Sequence, residues 1–214
     1  MATVGIIDYG MGNLHAIAKA LRYVASDERI EINYDAAALA RMDRLVLPGV
    51  GAMRYCMNEL HRLELDDMLA EYVDERPVMG VCLGLQALMS YAEEGDGVHG
   101  LDLFPGRVVR FAAADAQPDG MRRKIPHTGW NRVSQQRHHP LWKDIDTASW
   151  FHFNHSYHGL PDNPDHIVGT THYGINFASV LLRDNVFAVQ FQPEKSQSPG
   201  LQLLANFLEW DGTA

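Results

Sequence analysis

Cysteine is scarce in this chain: its 214 residues include only Cys56 and Cys82, 26 positions apart and in no Cys-x-x-Cys pair. That excludes a disulfide framework and points to a reducing, cytoplasmic setting. Positive charge is short as well. Lys and Arg number 18 against 27 Asp and Glu, a formal net charge of −9, and no basic run exceeds Arg122-Arg123-Lys124. A binder of nucleic-acid phosphates needs the opposite balance. No stretch approaches the roughly 18 apolar residues of a membrane span, and Thr3 to Asp8 reads as a core strand rather than a signal segment. What is left, 46% hydrophobic and 21% charged, describes a soluble globule long enough for one domain, residues 1–214, with a sizeable core.

The stretch that organises the chain is Pro77-Val78-Met79-Gly80-Val81-Cys82-Leu83-Gly84-Leu85-Gln86. Val78 to Val81 is a short apolar run suited to a buried strand, and Leu85, Leu88, Met89 and Ala92 follow at helical spacing. Cys82 lies between them, with a glycine two residues to either side. This is the layout of a nucleophile elbow, where a sharp strand-to-helix turn lifts one side chain above a parallel sheet. The glycines are needed because a Cβ at either flank would meet a neighbouring strand or helix. Free N–H groups at the helix start favour a thiolate, and the Leu83 N–H is positioned for a developing oxyanion. A small buried cysteine in a glycine-bearing turn fits the same short pattern.

Upstream, Thr3 to Asp8 runs into the glycine-rich turn Tyr9-Gly10-Met11-Gly12-Asn13, where Asn13 is suited to cap a helix starting at Leu14. Gly-x-Gly-x-x-Gly is not completed here, which argues against a nucleotide cradle. A second strand, Ile30 to Tyr34, leads to Asp35, which caps a short helix through Met42. A third, Arg44 to Leu47, enters Pro48-Gly49-Val50-Gly51-Ala52. That loop lies at a strand's C-terminal end, where open α/β folds hold ligands. Met53, Cys56, Met57 and Leu60 recur at helical spacing, so Cys56 reads as core, and a further helix spans Leu65 to Asp74.

Alternating strands and helices predict an α/β fold of three layers, with a mostly parallel central sheet covered on both faces. After about residue 100 the style changes. Strands are expected at 106–111, 129–133, 149–154, 167–171, 178–182 and 186–190, and a last helix at 201–210. His152, His155 and His158 sit in a strand leading to a turn, where alternate residues face opposite sides. They are not expected to converge on a metal, and no motif asks for a cofactor.

Further pieces accompany the elbow and the Pro48–Ala52 loop: Asp8-Tyr9-Gly10-Met11-Gly12-Asn13-Leu14, Lys124-Ile125-Pro126-His127-Thr128-Gly129-Trp130-Asn131, His155-Ser156-Tyr157 and Pro193-Glu194-Lys195-Ser196. Together they make the chain resemble the triad-type (class I) glutamine amidotransferases, with their flavodoxin-like core. Within that class it is most similar to the family of glutaminase subunits of imidazole glycerol phosphate synthase. The resemblance implies that Cys82 attacks the glutamine amide and forms a thioester, and that Glu194 orients a histidine base. It implies oxyanion donors at Gly49, Val50, Gly51 and Leu83, and a glutamine site made by Gln86, His155, Ser156 and Tyr157. Tyr9, Met11, Gly12, Asn13, Trp130 and Lys195 would face a barrel-type cyclase subunit, in a heterodimer that receives the ammonia.

One position departs from that family's pattern. Histidine is expected two residues before the glutamate, and the chain has Gln192. A glutamine side chain does not titrate, so it neither takes the thiol proton nor returns it to departing ammonia. His158, where the family usually carries tyrosine, is a milder difference. Impaired glutaminase activity is therefore expected. Three origins of Gln192 are compatible with the sequence: an introduced exchange, a natural one that leaves a noncatalytic partner, and a sequence error. The retained Cys82, Glu194 and elbow favour a recent or deliberate change. Delivery of ammonia to another synthase, such as one that forms amidino sugars, is the other functional reading.

Overall fold

The computed structural model describes residues 2–112 and 124–213, so Arg122 and Arg123 of the basic run lie outside the described residues. In the first half, strands and helices alternate as β1 (Thr3–Ile7), α1 (Leu14–Val24), β2 (Arg29–Asn33), α2 (Ala36–Leu39), β3 (Arg44–Gly49), α3 (Met53–Arg62), α4 (Leu65–Tyr72), β4 (Val78–Cys82) and α5 (Leu83–Ala87). The second half is mainly strand: β5 (Met89–Ala92), β6 (Val98–His99), β7 (Phe104–Arg110), β8 (His127–Gln135), β9 (Ser149–His155), β10 (Tyr157–Pro161), β11 (Ile167–His172), β12 (Asn176–Arg183) and β13 (Val186–Val189), closed by α6 (Gln197–Glu209).

The strand order β2-β1-β3-β4-β13 is parallel throughout, and β12, β10 and β7 continue the sheet in antiparallel pairing. Strand β11 branches from β12 towards β8 and β9. Two apolar clusters cover the two faces. Ile17, Leu21, Leu203, Leu204 and Phe207 bring α1 and α6 onto one; Leu39, Cys56, Leu60, Leu65 and Leu69 bring α2, α3 and α4 onto the other. Cys56 is fully buried, as its place in an apolar stripe requires. Strand β4, buried at every residue, is enclosed by both layers, which is why it reads as an unbroken apolar run.

Three local expectations need correction. The helix after Cys82 stops at Ala87, and Met89–Ala92 leaves it to pair with β7 and β6. Leu85, Leu88, Met89 and Ala92 are all buried, and an apolar run enclosed on every side does not distinguish the two periodicities. Asn13 makes no side-chain capping bond; its backbone carbonyl accepts from Ala16 and Ile17 instead. Strand β10 directly follows the bend at Ser156 and was not separable from β9 by pattern. Asp35 does cap α2, its carboxylate accepting from the Ala38 N–H at 2.6 Å.

The elbow glycines have identifiable neighbours. A Cβ on Gly84 would run into the Leu47 carbonyl of β3, and one on Gly80 would lie 2.7 Å from the Leu88 side chain and 3.2 Å from the Cβ of Ala188 in β13. The Leu47 obstacle is backbone and cannot rotate away. Gly84→Ala is therefore expected to lower stability in urea unfolding by about 1–3 kcal/mol, the usual cost of overpacking, against the small gain alanine gives in an open helix. An unchanged midpoint would mean that α5 does not lie this close to β3.

Candidate active site

Cys82 ends β4 at φ 57° and ψ −106°, a backbone geometry that non-glycine residues avoid. The parallel pairing of β4 with β3 and β13 and the close seat of Gly84 hold it there. The thiol is buried, and burial first, then the nearby Glu194 carboxylate, pushes it up to about 12. The Leu83 backbone N–H and the Gln190 side chain act the other way, through hydrogen bonds to the sulfur. Gln190 Nε2 lies 3.8 Å from Sγ.

On one side of Cys82 opens a cleft of about 320 Å³, lined by Val50, Gly51, Leu83, Gln86 and the 154–157 segment. It unites two residues of the expected oxyanion loop, the elbow and the expected glutamine site. Gly49 lies just behind the mouth, where a Cβ would sit 2.8 Å from Leu83 Cβ. The Tyr9 hydroxyl donates to the Pro48 carbonyl at 2.7 Å and fixes the peptide entering the loop. Tyr9 is thus 1% exposed, and its expected exposure for a partner is corrected: the ring belongs to the wall behind the loop. Gly10 and Asn13 are exposed, Met11 and Gly12 half-buried, and Lys195 exposed. Trp130 is 43% exposed and shares a shallow groove with Trp150, Ser196 and Gln197.

On the other side of Cys82 is a small enclosed space bounded by Asn13, Pro48, Gly49, Val81, Gln192 and Glu194. Gln192 is 2% exposed, and its Oε1 and Glu194 Oε2 are both buried without a hydrogen-bond partner. Burial raises the Glu194 carboxyl. Among the described residues that line this space, Cys82 and Glu194 are the titratable ones, and Gln192 shares it with both.

The histidines near the cleft are neutral. His155 Nδ1 is 2.7 Å from the Tyr157 carbonyl and must carry the proton it donates there; its Nε2 then accepts from His127 Nδ1 at 3.0 Å. Burial lowers His155 to about 3 and His127 to about 4. Neither is a base near neutral pH. Among the described residues no group of His, Cys, Asp and Glu is arranged to hold a metal ion.

Four residues at or beside the cleft escaped the sequence reading. Glu94, Pro126 and Asn154 line it directly, and Gln190 lies beneath. Glu94 also accepts from the Met53 N–H at 2.8 Å, tying the turn after β5 to the start of α3. Its signal, an acidic residue before a glycine turn, is shared by many solvated loops. Pro126 sat inside a quoted motif without a role.

With this geometry in view, similarity to known proteins becomes informative. The sequence model of the family described as "Glutamine amidotransferase class-I" matches residues 5–210. "Imidazole glycerol phosphate synthase subunit HisH 1" of Pseudomonas aeruginosa is 50% identical over 212 residues, covering 99% of both chains. The subunit HisH of Nitrosococcus oceani is 50% identical over 214 residues, covering both chains entirely. A solved structure titled "Crystal structure of glutamine amidotransferase" shares the fold at a TM-score of 0.73, with 16% identity over 96% of this chain and 97% of its own.

The lone Glu194 carboxylate has a pH signature. Its folded pKa lies above the ordinary 4.5, so its contribution to stability is complete below that value and is lost as pH rises through the folded pKa. Glu194→Gln, which never ionises, is therefore expected to melt higher than the parent at about pH 8 and close to it at about pH 4. A difference in Tm that stays constant with pH would mean that the carboxylate is not desolvated.

Proposed function

The chain belongs to the class I glutamine amidotransferase family, and from that premise we propose that it is the glutaminase subunit of an imidazole glycerol phosphate synthase in histidine biosynthesis. It forms one amidotransferase domain over residues 1–214, works in the cytoplasm and passes ammonia to a cyclase partner. The full-length identity to two HisH subunits supports the assignment of pathway. Among the described residues no helix is long and apolar enough to cross a membrane. The observation that carries the site reading is that Cys82 stands between a glutamine-sized cleft and the Gln192–Glu194 space.

In this reading glutamine enters the cleft with its side-chain amide over Cys82 Sγ. The Glu94 carboxylate suits the substrate's ammonium group, and Gln86 with His155, Ser156 and Tyr157 forms the opposite wall. Sulfur attacks the amide carbon, the oxygen takes up negative charge, and backbone N–H groups of Leu83 and the Gly49–Gly51 loop receive it. Loss of ammonia leaves a thioester, which water hydrolyses to glutamate. Both halves need a proton carrier at position 192, and Gln192 is not one. Turnover is therefore slow, and the intact cleft with its missing base equally favours a subunit that binds glutamine and shapes the cyclase without feeding it.

Gln192→His is expected to raise glutamine-dependent turnover by about 10²–10⁴, the usual weight of general acid–base help, when assayed with the cyclase subunit. Cys82→Ala in that background abolishes it, while free ammonium still supports the cyclase with either chain. Equal glutamine hydrolysis by the parent and Gln192→His would locate the base elsewhere.

The exposed Trp130 groove and Lys195 suggest the docking face. Lys195, beside the site, is suited to a carboxylate on the cyclase. Lys195→Glu is expected to weaken binding to the cyclase by about tenfold or more, read by titration of purified subunits, because it sets like charges against each other. Unchanged affinity would remove Lys195 from the interface.

A further inference from the structure

Gln190 carries no step of the proposed reaction, yet it is fully buried and its Nε2 lies 3.8 Å from the Cys82 sulfur. Its place follows from register. Strands β13 and β4 run parallel with Val189 opposite Val81, so the next step brings residue 190 beside Cys82. Its backbone N–H is already used by the Ser179 carbonyl at 2.9 Å, which leaves the side chain free for the site.

Both ends of that side chain are engaged. Nε2 faces Cys82 Sγ at 3.8 Å, and Oε1 accepts from Gln86 Nε2 at 3.0 Å. The orientation is forced, not chosen. Gln86 Nε2 also donates to the Tyr157 carbonyl at 3.1 Å, and a carbonyl can only accept, so the Gln86 amide nitrogen must point this way. The same carbonyl accepts from His155 Nδ1, whose other nitrogen accepts from His127 Nδ1. Asn131 Nδ2, 3.2 Å from His127 Nε2, donates to that nitrogen and also to the His172 carbonyl at 2.9 Å. Two runs of donors thus meet at the Tyr157 carbonyl, one from β8 through His127 and His155 and one from Gln86, and Gln86 also continues through Gln190 to an N–H aimed at Sγ.

We propose that Gln190 is a further catalytic residue of this site: its side-chain N–H holds the Cys82 sulfur, favours the thiolate and aims it at the substrate, with Gln86 as the positioning residue that fixes its amide. The inference rests on the reading of Cys82 as nucleophile. A donor to sulfur gains strength as negative charge gathers there and loses it once the neutral thioester forms. It therefore acts on the step that generates the nucleophile. Its importance is greater in a chain whose base position carries Gln192, since the Leu83 N–H is the other donor acting on the sulfur. The charged groups acting on Sγ, Glu194 and Lys195, are left unchanged by the variants below.

The test is the rate of Cys82 alkylation by iodoacetamide in the full chain, followed from about pH 6 to pH 9 by peptide mass spectrometry, with buried Cys56 as internal control. Gln190→Met keeps the length of the side chain and removes the donor. It is expected to react about three- to tenfold more slowly across that range, the net of a smaller thiolate fraction and a more nucleophilic thiolate. Gln86→Met, which leaves Gln190 in place but frees its amide to turn, is expected to slow Cys82 by a smaller factor. A Gln190→Met rate within twofold of the parent, or faster, overturns the proposal. Should that variant fail to fold, Gln190→Leu, which also removes the donor, decides by the same criterion. The readout uses neither glutamine nor position 192, so it stands even if the glutaminase reading fails. In the Gln192→His background, Gln190→Met is expected to lower kcat with little change in KM; a rise in KM alone would assign Gln190 to substrate binding and overturn its role at the sulfur.

Discussion

The site depends on one close approach, the backbone of α5 against the backbone of β3 at Gly84 and Leu47. Cys82 occupies a conformation that its own side chain disfavours, and such a residue keeps it only while its surroundings allow no relaxation. Parallel pairing on both sides of β4 clamps the residue from below, and the short helix seated on β3 clamps it from above. The same contact brings Leu83 against Gly49, so the two proposed sources of oxyanion donors are spaced by packing that also bends the elbow. Geometry at the sulfur and geometry of the loop are therefore a single packing problem.

Around this frame polar groups are sorted by charge. The cleft wall is a neutral hydrogen-bonded array of histidines, glutamines and a carbonyl, kept neutral by burial. Carboxylates stand at two separate places, Glu94 in the cleft and Glu194 in the closed space behind the thiol. A neutral wall leaves few groups to match the charges of a small molecule in the cleft, which favours orientation over strength. The space behind the thiol is the opposite case: the Gln192 amide oxygen and Glu194 Oε2 are both buried with no hydrogen-bond partner.

Much of this could be read from residues. Helical and strand periodicity placed β1 to β4 and α1 to α4 within a few residues, because each element there buries one face and exposes another, or is enclosed completely. The elbow was legible because its glycines answer to a steric need that few other residues satisfy. Met89–Ala92 was not, since burial on all sides erases the period that separates helix from strand. Tyr9 was misjudged for a related reason: a glycine-rich turn suggests exposure, but the ring folds back to bond Pro48. Gln190 was passed over because a glutamine beside a buried strand carries no signal until pairing register sets it next to Cys82. Side chains whose role is defined by a neighbour 108 positions away become visible only in three dimensions.

The backbone at residue 192 is held without help from its side chain. Its N–H donates to the His152 carbonyl at 2.9 Å, and its own carbonyl accepts from the Ser196 hydroxyl at 2.6 Å and the Lys195 N–H at 3.1 Å. Ser196 Oγ in turn accepts from His152 N–H at 3.0 Å, and Pro193 fixes the turn that follows. Such a mount is indifferent to what it carries. Codons for histidine and glutamine differ only in their third base, so one nucleotide separates the two occupants. Position 192 is thereby a point at which one base exchange swaps a side chain that cannot titrate for one that can, on backbone bonds that do not involve that side chain.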